Sequence, residues 1–200
     1  MANGKLLAAG VLFLAAFLIF GCTGAAVPQG TTSDGHPYRG SATPKVVIYE
    51  HSDFECPFCG AVQPTVEQVL QAYPNEVQLQ FRHNPLPIHP RAVPSAIASV
   101  CAQQQGKFWE MHDKLFGNQN ALEDADLQRY AQQVGLDMAK FNTCITSDAA
   151  AAAVQGDEAE GQALGIQGTP TFIIGQSKVI GNQPFSTFKA VIDSEIARAG

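Results

Sequence analysis

The sequence predicts an α/β fold in which a block of helices interrupts the sheet. Two observations carry this prediction: a strand–helix–strand pattern ends near residue 84, and a strand–strand–helix pattern starts near residue 165. The residues between them have a helical pattern almost throughout. The chain has 200 residues, of which 46% are hydrophobic and 15% charged, which suffices for one globular domain with an insertion.

The first three elements form a β-α-β unit. The apolar, β-branched residues 46–49 indicate a buried strand, and residues 77–81 alternate between apolar and polar as a second strand does. A helix through Ala72 lies between them, with Pro57 in its first turn, where the missing N–H costs nothing. Pro64 should kink this helix without ending it, because the apolar pattern continues beyond it. Short links between the elements favour a right-handed crossover with parallel strands.

The middle of the chain predicts five helices and the end predicts a hairpin and a closing helix. The predicted insertion helices cover residues 89–104, 107–116, 124–134, 138–145 and 148–164. The last of these is rich in alanine and therefore favourable by propensity. Residues 171–175 and 178–181 form the two hairpin strands around a Gly-containing turn. Apolar residues at helical spacing in 185–199 predict the closing helix.

Two cysteines in a C-x-x-C pattern, Cys56 and Cys59, lie where the first strand passes into the first helix. At a helix N-terminus the dipole and the unpaired backbone N–H groups stabilise a thiolate, which makes Cys56 a nucleophile toward disulfides. Cys59 follows one turn later on the same face, so it can resolve the mixed disulfide that results. The pattern predicts a thiol–disulfide oxidoreductase.

The N-terminal residues 1–22 have the pattern of an export signal. Lys5 precedes an apolar run, 6–20, which is shorter than the about 20 residues of a membrane span. Cys22 after a small residue resembles the lipidated cysteine of bacterial lipoproteins, although Phe20 is bulkier than that pattern usually allows. Cleavage near residues 24–26 and an uncleaved anchor remain alternatives. All three predict an exported, extracytoplasmic protein that is anchored to the membrane unless the signal is cleaved without lipidation.

Residues 23–43 change in composition to Gly, Thr, Ser, Pro and Ala without a hydrophobic period, which predicts a flexible linker. The formal net charge of −6 argues against a nucleic-acid partner, because no basic patch could neutralise phosphates.

The five cysteines support export. Removal or lipidation of Cys22 leaves four, which we expect to pair as Cys56–Cys59 and Cys101–Cys144. Cys101 and Cys144 lie in two helices of the insertion, and in an oxidising compartment they predict a structural disulfide. A second redox-active pair is the alternative, but neither of these two cysteines lies in a C-x-x-C.

Three segments together carry a family resemblance: Asp53-Phe54-Glu55-Cys56-Pro57-Phe58-Cys59, Phe108-Trp109-Glu110-Met111-His112-Asp113 and Gly168-Thr169-Pro170-Thr171-Phe172. In this order they resemble the DsbA-like family of exported disulfide oxidoreductases, over nearly all of residues 40–200. The resemblance implies a thioredoxin fold interrupted by an all-helical insertion domain. The thioredoxin-like domain would comprise residues 44–84 and 165–200, and the insertion residues 85–164.

The resemblance assigns roles to residues outside the cysteine pair. It implies that Pro170 is cis and faces the cysteines, so that the backbone of Thr169 is open to a substrate strand. An ordinary trans proline starting an edge strand is the alternative. The resemblance also implies that Glu50 is a buried acid whose raised pKa lets it take the proton of Cys59. A solvated carboxylate at a strand end is the alternative.

The dipeptide between the cysteines differs from those of both named families. Pro57 and Phe58, which with Thr169 and Pro170 make up the expected substrate-binding residues, replace Gly-Pro of thioredoxins and Pro-His of DsbA. Phe58 offers no imidazolium to the thiolate, which predicts a milder oxidant than DsbA. Thr169 is similar to a threonine found in exported isomerases.

The acidic and histidine residues near the cysteines complete the expectations. Asp53 and Glu55 would oppose thiolate formation, so we expect them to point to solvent. His51, Cys56 and Cys59 could supply three zinc ligands, but a fourth at a recognised spacing is missing, and we expect neither a metal nor a cofactor.

Three functions follow. The first is an exported oxidase of thiol-containing exported proteins, recycled by a quinone-linked membrane partner that the resemblance implies. The second is a reductase or isomerase fed by a membrane electron donor, although no dimerisation module is visible in residues 23–43. The third is a lipid-anchored, chaperone-like binding module with structural cysteines.

Overall fold

The computed structural model describes Met1 and residues 27–199. The predicted signal in residues 1–22, with Cys22 as the lipidation site, lies outside the described residues. Within the part of the chain that is described, none of the helices combines the length and the apolar character needed to cross a membrane.

The described residues form six strands and seven helices, of which four strands and all seven helices follow the predicted order. The strands are β1 (Gln29–Thr31), β2 (Pro37–Gly40), β3 (Val46–Ser52), β4 (Val77–His83), β5 (Thr171–Ile174) and β6 (Ser177–Ile180). The helices are α1 (Pro57–Ala72), α2 (Ala92–Gln103), α3 (Phe108–Phe116), α4 (Asp124–Gln133), α5 (Met138–Cys144), α6 (Asp148–Ala163) and α7 (Phe185–Ala199). The strands form one sheet in the order β1-β2-β4-β3-β5-β6, in which β3 and β4 are parallel and the other neighbours antiparallel.

The segment expected to be a flexible linker forms two strands instead, and this prediction is wrong for residues 29–40. Tyr38 pairs with Gln80 of β4, and its carbonyl accepts a hydrogen bond of 2.9 Å from the indole of Trp109. Arg39 pairs with Asp113 at 2.7 Å and lies over the Trp109 ring. These strands are short and polar, so their stability comes from pairing with residues distant in sequence rather than from a local hydrophobic pattern.

The two faces of β3 meet different layers of the structure. Ile48 packs toward α1 and α7, together with Phe172 and Phe188. His51 faces α6 on the other side, where Gly161 lets the helix approach closely, since a Cβ there would press on Asn84 and touch the His51 ring. Glu50 lies two residues after Ile48 and therefore on the same face of β3, the side of the sheet that α1 covers.

The helices α2–α6 lie between β4 and β5 in the chain, where the insertion is predicted. A disulfide joins Cys101 of α2 to Cys144 of α5. Phe54 and Phe81 stack at 5.2 Å between ring centroids, and Phe116 of α3 packs on Phe54 at 4.9 Å. His112 packs on Trp109 and on these rings. An aromatic cluster thus fixes the insertion on the segment that leads into Cys56.

Candidate active site

Cys56 is the N-cap residue of α1, and Cys59 lies in the first turn of that helix. The helix begins at Pro57, which takes the first helical position because its missing N–H and fixed φ suit that position. The carbonyl of Cys56 accepts from the backbone N–H groups of Cys59 and Gly60 at 3.1 and 3.2 Å. Both cysteines are free thiols; Cys56 is 3% exposed and Cys59 is fully buried.

The environment separates the acidities of the two thiols. A hydrogen bond from Cys59 lowers the pKa of Cys56 to about 5; burial opposes this shift, and hydrogen bonds from Thr169 and from the N–H groups of Cys59 and Phe58 add to it. Burial, followed by the hydrogen bond with Cys56, raises the pKa of Cys59. Near neutral pH Cys56 is therefore a thiolate while Cys59 keeps its proton, as an attacking and a resolving thiol require.

The loop before β5 lies against the cysteines. The Thr169–Pro170 peptide bond is cis. The Cys56 thiol, when protonated, donates to the carbonyl of Thr169 at 3.4 Å. Pro57 and Phe58 are exposed at the start of the helix, and Phe58 has 62% of its surface accessible. Cys56 therefore lies against the backbone of Thr169 and two residues before an exposed aromatic ring.

Glu50 is completely buried on the α1 side of the sheet. Its Oε1 atom accepts a hydrogen bond of 3.1 Å from the amide of Gln63, and the same amide donates to the carbonyl of Cys59 at 3.1 Å. Burial raises the pKa of Glu50 to about 7, although hydrogen bonds from Ser52 and Gln63 oppose this shift. Near neutral pH the carboxyl group can therefore either donate or accept a proton.

The comparisons with known proteins agree with this geometry. A family model described as "Thioredoxin" matches residues 32–194. The chain belongs to the thioredoxin family. Within this fold, Cys56 and Cys59 have the chemistry that thiol–disulfide exchange requires, since one thiol is acidic and the other keeps its proton.

Solved structures of this family show the same fold. A thioredoxin-like oxidoreductase from Silicibacter pomeroyi DSS-3 is 28% identical, with a TM-score of 0.75 over 82% of this chain and 93% of that one. The thiol-disulfide exchange protein alpha-DsbA2 from Wolbachia pipientis is 20% identical, with a TM-score of 0.72 over 80% of this chain and 86% of that one. The fold class and the resemblance to DsbA-like proteins that the sequence predicts are thus confirmed at the level of the fold.

Curated sequence relatives are longer proteins. The Na(+)/H(+) antiporter NhaA 3 of Salinispora tropica is 36% identical over 162 residues, which are 80% of this chain and 25% of the relative. The Na(+)/H(+) antiporter NhaA of Herminiimonas arsenicoxydans is 32% identical over 156 residues, 78% of this chain and 25% of the relative. The chain spans about a quarter of the length of these relatives.

Asp53 and Glu55 do not point to solvent, so that expectation is wrong. Asp53 is 2% exposed, and its Oδ2 atom lies 2.6 Å from Nδ1 of His89 and accepts from the N–H of Leu86 at 2.9 Å. Glu55 is half-buried and accepts from the N–H of Arg91. The sequence could not show this, because the turn before α2 folds over the active-site loop from more than thirty positions away.

Three further side chains at the site have no signal in the sequence. Gln63 joins Glu50 to Cys59, as described above. Gln119, after α3, donates to the carbonyls of Phe54 and Cys56 at 2.9 and 2.8 Å. The turn before α2, where the sequence predicts helix from residue 89, contributes His89; the helix itself begins at Ala92. A polar residue that supports a site through long-range contacts carries no local pattern.

One group of potential metal ligands occurs in the described ranges, away from the cysteines. Its members are His36, Asp157 and Glu160, whose ligand atoms lie within 4.8 Å of one another. His36 Nε2 already pairs with Asp157 at 3.0 Å, and Glu160 pairs with Nε of Arg82 at 3.0 Å. The cluster is an ion-pair network that ties the β1–β2 hairpin and β4 to α6. His51, considered above as a zinc ligand, lies on the α6 face of β3 and is not one of this group.

Proposed function

We propose that the protein is an exported oxidase that introduces disulfides into thiol-containing exported proteins through Cys56 and Cys59. The observation that carries the proposal is the acidity of Cys56, whose pKa is lowered to about 5. A stabilised thiolate favours the reduced form of the pair, which makes the disulfide form an oxidant. It also makes Cys56 a good leaving group when the substrate disulfide forms.

The reaction starts from the Cys56–Cys59 disulfide. A substrate thiolate attacks Sγ of Cys56, the bond to Cys59 breaks, and the electron pair goes to the sulfur of Cys59. Cys59 takes up a proton, which Glu50 can supply because the pKa of that carboxyl is about 7. A second substrate thiolate then attacks the substrate sulfur bound to Cys56 and displaces the Cys56 thiolate. The substrate leaves with a disulfide, and the enzyme holds the dithiol.

Recycling and location belong to the same proposal. The reduced pair has to return its two electrons to an acceptor, for which we propose a quinone-linked membrane protein. The Cys101–Cys144 disulfide supports an oxidising compartment, since such bonds are rare in the reducing cytosol. A periplasmic thioredoxin-like protein from Salmonella enterica serovar Typhimurium shares the fold at a TM-score of 0.71 and 24% identity, over 81% of this chain and 90% of that one. Lipidation at Cys22 would hold the protein at the membrane.

A reductase or isomerase that takes electrons from a membrane donor is the second candidate. It is favoured by one observation: the residue before Cys59 is the uncharged Phe58, which offers the Cys56 thiolate no positive charge. A less stabilised thiolate would lower the oxidising power of the pair. A chaperone-like module is the third candidate, and it differs from both because its binding would survive the loss of Cys56.

A stoichiometric oxidation experiment separates these functions. Oxidised protein is mixed with a reduced peptide that contains two cysteines, and the peptide disulfide is followed by mass spectrometry. We expect rapid oxidation by the wild-type protein and none by Cys56→Ser, while a variant with Cys101→Ser and Cys144→Ser retains the reaction if it folds. A protein that leaves the peptide reduced, but reduces insulin disulfides when supplied with electrons, would refute the oxidase. Peptide binding without exchange in the wild-type protein, retained in Cys56→Ser, would indicate the chaperone-like module.

A further inference from the structure

The active-site loop contains a buried carboxylate three residues before the reactive cysteine. Asp53 precedes Cys56 by three residues and is 2% exposed. Its carbonyl accepts from the N–H of Cys56 at 3.1 Å, and its own N–H points to Sγ of Cys59 at 3.5 Å. The backbone of Asp53 thus contacts both cysteines, and its buried carboxylate, three residues before Cys56, would disfavour a thiolate there if nothing compensated its charge.

The compensating group comes from the helical insertion. Nδ1 of His89 lies 2.6 Å from Oδ2 of Asp53, and the N–H of Leu86 donates to the same oxygen at 2.9 Å. Two residues beyond His89, the N–H of Arg91 donates to the carboxylate of Glu55. The Arg91 guanidinium is directed away, to the carbonyl of Leu122 and to Asp124. The turn 86–91 therefore places one cationic side chain, His89, against the loop that carries Cys56.

The charges around His89 favour its protonated form. Burial lowers the pKa of His89, but the hydrogen bond to Asp53 and the negative charges of Asp53, Cys56 and Glu55 outweigh burial and raise it above the usual value. These three groups make the largest electrostatic contributions to the rise of the His89 pKa. When the ring is protonated, the imidazolium and the Asp53 carboxylate form a neutral pair next to the loop that carries Cys56.

We propose that His89 is a positioning residue of the exchange site, which as an imidazolium cancels the charge of Asp53 and thereby keeps the Cys56 thiolate stable. This inference rests on the proposed use of Cys56 in disulfide exchange and adds a residue to that site. When His89 loses its proton, Asp53 is left uncompensated and the Cys56 thiolate is disfavoured.

The test is the acidity of the Cys56 thiol, measured from the ultraviolet absorbance of the thiolate against pH in the reduced protein. We expect His89→Gln to raise the pKa of Cys56 by about one unit. At pH values well below that pKa, the fraction of Cys56 present as thiolate then falls about tenfold. The matched control is His36→Gln, since His36 also pairs with a buried aspartate, Asp157, at 3.0 Å. The control should leave the pKa of Cys56 unchanged.

A second variant separates charge compensation from a purely structural role. In the double variant His89→Gln and Asp53→Asn, the carboxylate that His89 compensates is gone, so the pKa of Cys56 should return toward its wild-type value. An unchanged pKa in His89→Gln, or no return in the double variant, would overturn the inference.

The wild-type protein provides a test that needs no variant. Because coupling between two titrating groups is reciprocal, the His89 ring should titrate at higher pH in the reduced protein, which holds the Cys56 thiolate, than in the disulfide form. Nuclear magnetic resonance of the ring measures both values, and equal values would contradict the inference. Neither test depends on the direction of exchange, so a reducing potential would refute the oxidase and leave the role of His89 standing.

Discussion

Replacement of Glu50 by glutamine tests the buried carboxyl group through both stability and rate. The variant keeps the shape of the side chain and an oxygen that can accept the hydrogen bond from Gln63. In the folded protein the pKa of Glu50 rises from 4.5 to about 7. At about 1.36 kcal/mol per pKa unit, this shift corresponds to roughly 3 kcal/mol.

The sign of the stability effect follows from proton binding. Between pH 4.5 and about 7 the folded protein holds the Glu50 proton while the unfolded chain has released it. The free energy of unfolding therefore falls as pH rises through this interval, and the full cost is present above it. We expect Glu50→Gln to match the wild type below pH 4.5 and to exceed it by up to roughly 3 kcal/mol well above pH 7.

Glu50→Gln should raise stability but lower the rate at which Cys59 resolves a mixed disulfide. When Cys56 carries a mixed disulfide, the Cys59 thiol needs a base to attack it, and the wild-type rate should rise as Glu50 ionises near pH 7. The variant should lose this inflection and about two orders of magnitude in rate. The assay is single-turnover resolution of a Cys56–glutathione disulfide, with urea unfolding for stability.

Glu67→Gln is the matched control, because Glu67 lies half-exposed on α1 and bonds only to Gln71 among the residues described. Glu67→Gln should change neither the pH dependence of the free energy of unfolding nor that of the resolution rate. An unfolding difference between Glu50→Gln and wild type that is the same at acidic and alkaline pH would refute the reasoning, as would a retained inflection near pH 7.

Three other perturbations test the rest of the account. Removing the Cys101–Cys144 disulfide, whose cysteines are 43 positions apart, should lower the free energy of unfolding by about 4 kcal/mol while the exchange reaction persists; urea titration measures the loss, and an unchanged midpoint would contradict it. Thr169→Val keeps the backbone carbonyl but removes the side-chain hydroxyl that lowers the pKa of Cys56, so it should raise the pKa of the reactive thiol; an unchanged pKa in ultraviolet titration would contradict this. Phe54→Ala should cost about 3–5 kcal/mol of stability by opening the aromatic cluster, whereas Phe58→Ala, at an exposed ring, should cost little; equal losses would be inconsistent with the packing.

The sequence predicts the elements whose signal is local. The β-branched run in β3, Pro57 at the first position of α1 and the C-x-x-C spacing each act within one turn or one strand, so they can be interpreted from the residues alone. The order of elements around the insertion follows from the same local patterns. The structure consequently agrees with the predicted architecture.

Features stabilised by long-range partners could not be predicted. The β1–β2 hairpin has no hydrophobic period, because it is an edge stabilised by backbone pairing to β4 and by the ring of Trp109. The polar residues of β4 are buried rather than exposed: Gln78 donates to the carbonyl of Ser41, and Arg82 pairs with Glu160. Each of these contacts joins residues more than thirty positions apart.

The prediction that the acidic residues next to the cysteines point to solvent is wrong for the same reason. From sequence, Asp53 is a charge beside a thiolate, and exposure to solvent is the simplest way to tolerate it. In the structure it is buried and paired with His89, 36 positions away. A buried charge is tolerable when a partner neutralises it, and the identity of that partner depends on the tertiary fold.

The redox potential of the Cys56–Cys59 pair tests the central proposal most directly. The purified protein is equilibrated with glutathione buffers, and each cysteine pair is resolved by alkylation and mass spectrometry. The oxidase proposal predicts a potential well above that of glutathione, toward the about −120 mV of DsbA. A value near the about −270 mV of thioredoxin would contradict it and indicate a reductant.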